Sequence, residues 1–329
     1  MMIRPLSHLS RRGFMSLSAT AMAATVLDPT TATQAAEFVT IGSGHSGGSF
    51  YPVGVAVANA VGTATRDVRV QVQQTGGSHE NIQLVTRGRA ELGLALADTL
   101  SMAYRGVDEK RYPKPFSGLR GIAAIFPSFV HLLVRADLGI KRIEDLRGRK
   151  ITVGAPGGGS ETNARAILAA AGMSFADLGR VEFLSGDDTG DAIRNRRIDG
   201  FFLSTGLGAS AVRELETSVE LAAVPIPASA VAAIGDAAYI ASEMPAGTYR
   251  VQGLPAPSVV IWTHLFCDEK QTSAKIQSYL AGIFNNIDTF RSTHASLRDF
   301  SLERAVMGMP IPFHEGAEAF FASHGVKTG

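Results

Sequence analysis

Four short apolar runs in this chain each end in a loop built from glycine, serine and threonine. Residues 38–42 run into Gly42-Ser43-Gly44-His45-Ser46-Gly47-Gly48, and residues 68–72 lead to Thr75-Gly76-Gly77-Ser78. Residues 151–154 open into Gly154-Ala155-Pro156-Gly157-Gly158-Gly159-Ser160-Glu161, and residues 200–203 precede Ser204-Thr205-Gly206. Glycine lets the backbone turn tightly and leaves its N–H groups accessible, while the hydroxyls add further donors. Any one such loop is an ordinary turn. Four of them at strand C-termini, spread over two stretches of chain, are what an α/β protein with a binding cleft needs.

The intervening segments fit that class. Residues 53–61 and 81–87 carry helical spacing, and 92–97 is a third short apolar run. A second unit starts near Phe129, with a strand at 130–135 and a short helix at 143–148 stopped by Gly148. A strand at 151–154 and a helix at 162–171 ended by Gly172 follow, and the alternation continues through 181–184, 192–197 and 200–203. Strands alternating with helices predict a parallel sheet in each unit. Pro245, Gly247, Gly253, Pro255 and Pro257 mark a return toward the first unit. A strand at 259–266, a long amphipathic helix at 273–289, the rigid turn Met309-Pro310-Ile311-Pro312 and a last helix at 315–324 complete the pattern.

Charge and cysteine usage narrow the function. The net charge is +1, and no run of like charges stands out, so nothing favours nucleic acid or an acidic membrane surface. The single cysteine, Cys267, excludes an intrachain disulfide and cysteine-based metal sites; inside the apolar run 259–267 it reads as a small buried hydrophobe. The first 36 residues read as an export signal. Arg4, Arg11 and Arg12 form a basic region, residues 15–27 are mildly apolar, and Thr33 and Ala35 suit a cleavage site. Ser10-Arg11-Arg12-Gly13-Phe14-Met15 resembles the twin-arginine motif, with Ser16 where lysine is usual; an ordinary Sec signal is the alternative. With no cysteine after the site and no later run long enough to span a bilayer, a soluble periplasmic protein without a membrane anchor is expected.

Three chemistries overlap at the first loop. Gly42-Ser43-Gly44-His45-Ser46-Gly47 satisfies the dinucleotide pattern, but the second strand ends Val72-Gln73-Gln74-Thr75 without the carboxylate that holds a ribose. Gly44-His45-Ser46-Gly47-Gly48 fits a nucleophile elbow with Ser46 as nucleophile, although a first strand offers no earlier loop for an oxyanion hole. The third reading is a loop that binds a carboxylate or phosphate through amides and hydroxyls. No two histidines have metal-ligand spacing, so neither metal nor cofactor is expected. His45 is a candidate ligand contact, His131 is expected to be satisfied within its strand, and the remaining histidines are expected at the surface. Asp187 and Asp188 read as a solvated loop, Trp262 as core, and Arg165, if it points inward, as an aid to an anionic ligand.

The motifs, in order, resemble the TAXI-type solute receptors of tripartite ATP-independent periplasmic (TRAP) transporters. The resemblance is carried by Ile41-Gly42-Ser43-Gly44-His45-Ser46-Gly47-Gly48-Ser49-Phe50-Tyr51-Pro52, by Thr75–Ser78 with Asn81, and by Gly88–Gly93 with Ala97-Asp98. It continues through Val130–Arg135, Gly154–Glu161, Ile198–Phe202 and Gly308–Ala317. His45, Phe50, Ala97 and Thr205-Gly206-Leu207 depart from the usual motifs. The resemblance implies a type II periplasmic-binding-protein fold, with one α/β domain at 37–127 plus 257–329 and another at 128–256. It implies capture of an amino acid such as glutamate, a dicarboxylate or a keto acid by hinge closure, without catalysis, and delivery to the transporter's membrane subunits. The implied contacts are Ser43, His45, Ser46, Ser49, Tyr51 and Ser78 from one domain, and Gly157, Gly158, Gly159, Ser160, Glu161, Thr205 and Gly206 from the other. A serine hydrolase using Ser46 and a sensor subunit for a signalling kinase are the competing readings.

Overall fold

A computed structural model describes residues 37–65, 68–108 and 110–328. The export segment expected at 1–36 lies outside the described residues.

Short apolar runs become strands, and the segments of helical spacing between them pack on the sheet they form. The first lobe opens with β1 (Glu37–Gly42), α1 (Phe50–Ala64), β2 (Val68–Gln73), α2 (Ser78–Thr86), β3 (Leu92–Leu96) and α3 (Ala97–Arg105). A long strand, β4 (Leu119–Arg135), leads into β5 (Lys150–Thr152), α4 (Gly159–Ala170), β6 (Arg180–Glu182), α5 (Gly186–Arg194) and β7 (Gly200–Thr205). Then come α6 (Ser210–Leu215), β8 (Leu221–Ala223), α7 (Ala228–Ile234), β9 (Ile240–Met244) and a second long strand, β10 (Ala256–Asp268). Helices α8 (Ser273–Asn285), α9 (Ile287–Thr293) and α10 (Glu315–Ser323) close the chain.

The strands lie in the order β2-β1-β3-β10-β4-β7-β5-β6, with β8 on β4 and β9 on β10. The same pattern occurs twice. In each half the first strand sits between the second and third, all parallel, and an antiparallel long strand flanks the third. Both long strands change partners midway. Strand β10 pairs with β9 over 256–260 and with β3 over 263–267, while β4 pairs with β10 up to Phe129 and with β7 from there on. At the changeover Pro127 faces Trp262, and the Ser128 and Thr263 hydroxyls hydrogen bond at 2.8 Å. A proline donates no ladder bond, so it is tolerated where pairing is being exchanged. The result is a two-lobed α/β fold of the periplasmic-binding-protein type.

Several expectations need correction. Strand β4 begins at Leu119, well before residue 130. The expected helix over 273–289 is two helices, because Asn286 leaves helical geometry (φ −121°, ψ 33°) while its side-chain amide bonds back to the Gly282 carbonyl at 3.0 Å. Asp188 lies in the first turn of α5, which Ser185 caps, not in a loop. His79, His264 and His314 are buried, not at the surface. His314 serves as a cap: its Nε2–H donates to the Gln271 carbonyl, and its Nδ1 accepts the Gly316 amide that opens α10. Cys267 and Trp262 are buried on β10, as the apolar run implies.

Candidate functional site

All four glycine, serine and threonine loops converge on one cavity of about 50 Å³ between the lobes. Parallel strands end on one side of each sheet, so the loops that follow β1, β2, β5 and β7 face one another. Helices α1, α2 and α4 point their N-termini into this cleft, and none is capped by a side chain of its own cap residue. Helix N-termini carry a partial positive charge and free N–H groups, which suits an anion or a polar oxygen.

Glycine is demanded here by close approach. A Cβ on Gly76 would stand 2.1 Å from the Pro156 carbonyl oxygen of the opposite lobe, and one on Gly158 would stand 2.6 Å from the Gly76 oxygen. Backbone bonds join the same surfaces. The Gly157 carbonyl accepts the amides of His79 (3.0 Å) and Glu80 (3.2 Å), and the Gly47 carbonyl accepts the Ala211 amide (3.1 Å). The Ser49 amide donates to Thr205 Oγ1 at 2.9 Å, so the cap residue of α1 is held by the far lobe.

Of the residues singled out from sequence, His45, Ser49, Ser78, Gly158, Gly159, Ser160 and Thr205 line the cavity. The His45 ring packs across the cleft: a Cβ on Gly186 would meet its Cε1 at 2.6 Å. Ser160 Oγ accepts the Ser204 amide (2.9 Å), and Ser78 Oγ accepts the Leu96 amide (3.1 Å), which fixes both side chains in the cavity wall. The others lie off the cavity. Ser43 is buried and donates to the Gln73 carbonyl, Ser46 is exposed on its loop, and Tyr51 is half-buried in α1. Gly157 joins the lobes through its carbonyl, and Gly206 packs against Ser296. Glu161 is engaged by Arg111 (2.7 Å) and Arg165 (3.0 Å). Arg165 also lies over the Phe175 ring at 4.0 Å, away from the cavity.

The structure adds wall residues that were not among the expected contacts: Leu184, Phe201, Leu203, Val212 and Leu215, with Thr189 in the first turn of α5. In sequence these look like ordinary core positions. Their role arises because the core of the second lobe opens between β7, α5 and α6. Nearby, His131 is fully buried, and its pKa is lowered by desolvation to about 4. Its Nδ1 faces two carbonyls, Phe129 O (3.0 Å) and Leu203 O (3.1 Å), which only accept; Nδ1 therefore carries the proton, and Nε2 accepts from the Tyr249 hydroxyl (3.0 Å). The Tyr249 oxygen in turn accepts the Gly208 and Ala209 amides, which ties α6 to the wall.

A second buried cluster fastens the lobes beside the cavity. Asp98 Oδ2 of α3 accepts from Asn163 Nδ2 of α4 (2.7 Å) and from the Tyr239 hydroxyl (2.8 Å), while Ser204 Oγ donates to Asn163 Oδ1 (2.5 Å). Desolvation dominates the Asp98 carboxyl and raises its pKa to about 6, against the lowering effect of the Tyr239 and Thr99 hydrogen bonds. His79 bonds Tyr112 (2.6 Å) and, across the cleft, Thr162 (2.9 Å); burial and the Arg111 charge lower its pKa to about 4. Among the described residues no group of histidine, cysteine and acidic side chains is arranged to hold a metal ion, and no helix is long and apolar enough to cross a membrane.

Solved structures share this architecture. MatC from Rhodopseudomonas palustris, solved with bound malate, is 15% identical over 79% of this chain and 88% of its own, with a TM-score of 0.57. A structure described as a periplasmic transporter is 11% identical over 87% of this chain and 92% of its own, at a TM-score of 0.54. At such identities the likeness is one of fold. A protein-family profile extends from the first glycine loop to beyond α10, matching residues 41–325, and by that match the chain belongs to the NMT1-like family.

Proposed function

We propose that this protein is an exported, non-catalytic solute receptor that captures a small anionic metabolite by closing its lobes. The lobes are residues 37–127 with 257–329, and residues 128–256, hinged where β4 and β10 change partners. The observation that carries the reading is the shared cavity, which glycine-loop and hydroxyl-bearing residues of both lobes line. Ligand touches both walls only in the closed form, so its differential affinity shifts the population toward closure. His45, Ser49, Ser78, Gly158, Gly159, Ser160 and Thr205 contact the ligand; Ser43, Tyr51, Gly157, Glu161 and Gly206 hold the surrounding loops. Exposed Ser46, outside the lining, sits at the rim and is not a nucleophile.

A carboxylate is the favoured ligand class, as an amino acid such as glutamate, a dicarboxylate or a keto acid. The N-termini of α1 and α4 converging on one cleft support that choice, the first-turn amides of α2 being taken up by the Gly157 carbonyl, and MatC, of similar fold, was solved with malate. The ordered TAXI-type motifs support delivery to TRAP membrane subunits from the periplasm. A thermal-unfolding screen of amino acids, dicarboxylates and keto acids tests the reading. A true ligand at a hundredfold excess over its Kd stabilises by about 2.7 kcal/mol, and a broad panel without a single stabiliser would refute solute capture.

A further inference from the structure

Resting on the solute-receptor reading, the wall of the cavity discriminates among carboxylates. We infer that the site prefers a small monocarboxylate with a short apolar tail, its head at the glycine loops and its tail in the core of the second lobe. Dicarboxylates and zwitterionic amino acids fit less well.

The lining is divided by element. Hydroxyls and loop backbone from the segments after β1, β2 and β5 form one end, with His45, Ser49, Ser78 and Ser160. The wall from β7, α5 and α6 is mostly apolar, with Leu184, Phe201, Leu203, Val212 and Leu215 beside Ser204, Thr205 and Thr189, whose hydroxyl donates to the Ser185 carbonyl at 2.6 Å. Phe50 and Leu96 add apolar surface from the first lobe. Phe201, Leu203, Val212 and Leu215 belong to the buried apolar cluster of the second lobe, and Leu184 packs against it. The cavity is therefore a gap bounded on one side by the hydrophobic core of the second lobe and on the other by polar loops. Among the described residues that line it, none is Lys, Arg, Asp or Glu.

That composition has separate consequences for each ligand class. One carboxylate is accommodated by helix N-termini and hydroxyls without a cationic side chain. A second carboxylate would face the leucine, valine and phenylalanine wall, where an unpaired charge is strongly disfavoured. The ammonium of an amino acid would find no carboxylate among the described lining residues, and burying it unpaired carries the same penalty. An alkyl tail, by contrast, gains by leaving water for an apolar wall. The space is also small, on the order of four waters, which selects short tails.

Calorimetric titration of the full-length protein tests this with three pairs: α-ketoisovalerate and isobutyrate, malate and glutarate, glutamate and leucine. The monocarboxylates should bind roughly tenfold or more tighter than the other pairs. Tighter binding of malate or glutamate overturns the inference and leaves solute capture standing, whereas silence from all six compounds, with no stabiliser in the wider thermal screen, overturns both. A variant removes dependence on one ranking. Leu184 is half-buried, so Leu184→Lys introduces a cation into the apolar end with the fold checked by circular dichroism. It should move the preference toward malate by roughly tenfold, and an unchanged ranking overturns the inference.

Discussion

Asp98→Asn separates the cost of a buried charge from the value of a buried hydrogen bond. Asp98 is 1% exposed and accepts from Asn163 and Tyr239 of the opposite lobe, while Thr99 lies beside its other oxygen and Asp236 contributes a like charge. Burial raises its pKa from 3.8 to about 6. The sign follows directly. A carboxyl raised in the folded state is favoured while protonated, so its contribution is fully present below about pH 4 and is lost as pH rises through about 6. The shift of about two pKa units corresponds to about 3 kcal/mol once the group is ionised in both states. Asparagine keeps the shape and one acceptor but carries no charge. Relative to the wild type, Asp98→Asn should therefore gain about 3 kcal/mol at about pH 8, and that gain should shrink below about 1 kcal/mol by about pH 4. Urea unfolding of both proteins across this range measures the difference and cancels the other titrating groups. A difference that does not change with pH would refute the reasoning.

Three further outcomes follow from the same geometry. Gly76→Ala places a methyl 2.1 Å from the Pro156 oxygen across the cleft, so it should weaken the best-binding solute by roughly ten- to hundredfold while leaving the unliganded melting temperature nearly unchanged; unaltered affinity in calorimetry would contradict it. His79, His131 and His264 are held neutral by burial, with pKa values lowered from 6.5 to about 4, about 4 and about 3. Their stabilisation is present above pH 6.5 and is lost as pH falls toward 4, amounting to about 2 kcal/mol each at about pH 5; a urea midpoint that does not fall between neutral pH and about 5 would rule this out. Cys267 is fully buried and its thiol pKa is raised by desolvation, so a thiol reagent should label it only after unfolding, and rapid labelling of the native protein would be the contrary result.

The legible parts of the fold were those where local chemistry and tertiary role coincide. Gly42–Ser49 and Gly154–Glu161 each join a short apolar strand to a helix, and a loop that must turn sharply at a strand end announces itself in glycine. The first half of β4 did not announce itself. Residues 119–126 are almost wholly buried on both faces, so they lack alternation, and Pro127 reads as a breaker until Trp262 is seen opposite it. His314 looked like a surface residue because a side chain that caps a helix is defined by a fold around it, not by its neighbours in sequence. Phe201, Leu203, Val212 and Leu215 are apolar residues in apolar segments; whether such a residue faces packed core or a gap in it is decided by how α5 and α6 sit on β7.

The first turn of α4 couples the cavity wall to the contacts between the lobes. Four consecutive residues there each face a different partner. Ser160 lines the cavity, Glu161 pairs with Arg111 of the first lobe at 2.7 Å, Thr162 meets His79 at 2.9 Å, and Asn163 donates to Asp98 at 2.7 Å. Successive residues of a helix point about 100° apart, so a single turn can present ligand contact and lobe contact together. Ser204 links the two, its amide on Ser160 and its hydroxyl on Asn163. A rotation that withdraws Asn163 from Asp98 must also move Ser160 in the cavity wall. With capture by lobe closure as proposed, the energy of closure is shared between solute and protein, and a change at Asp98, which lies outside the cavity lining, should alter affinity through α4 and Tyr239.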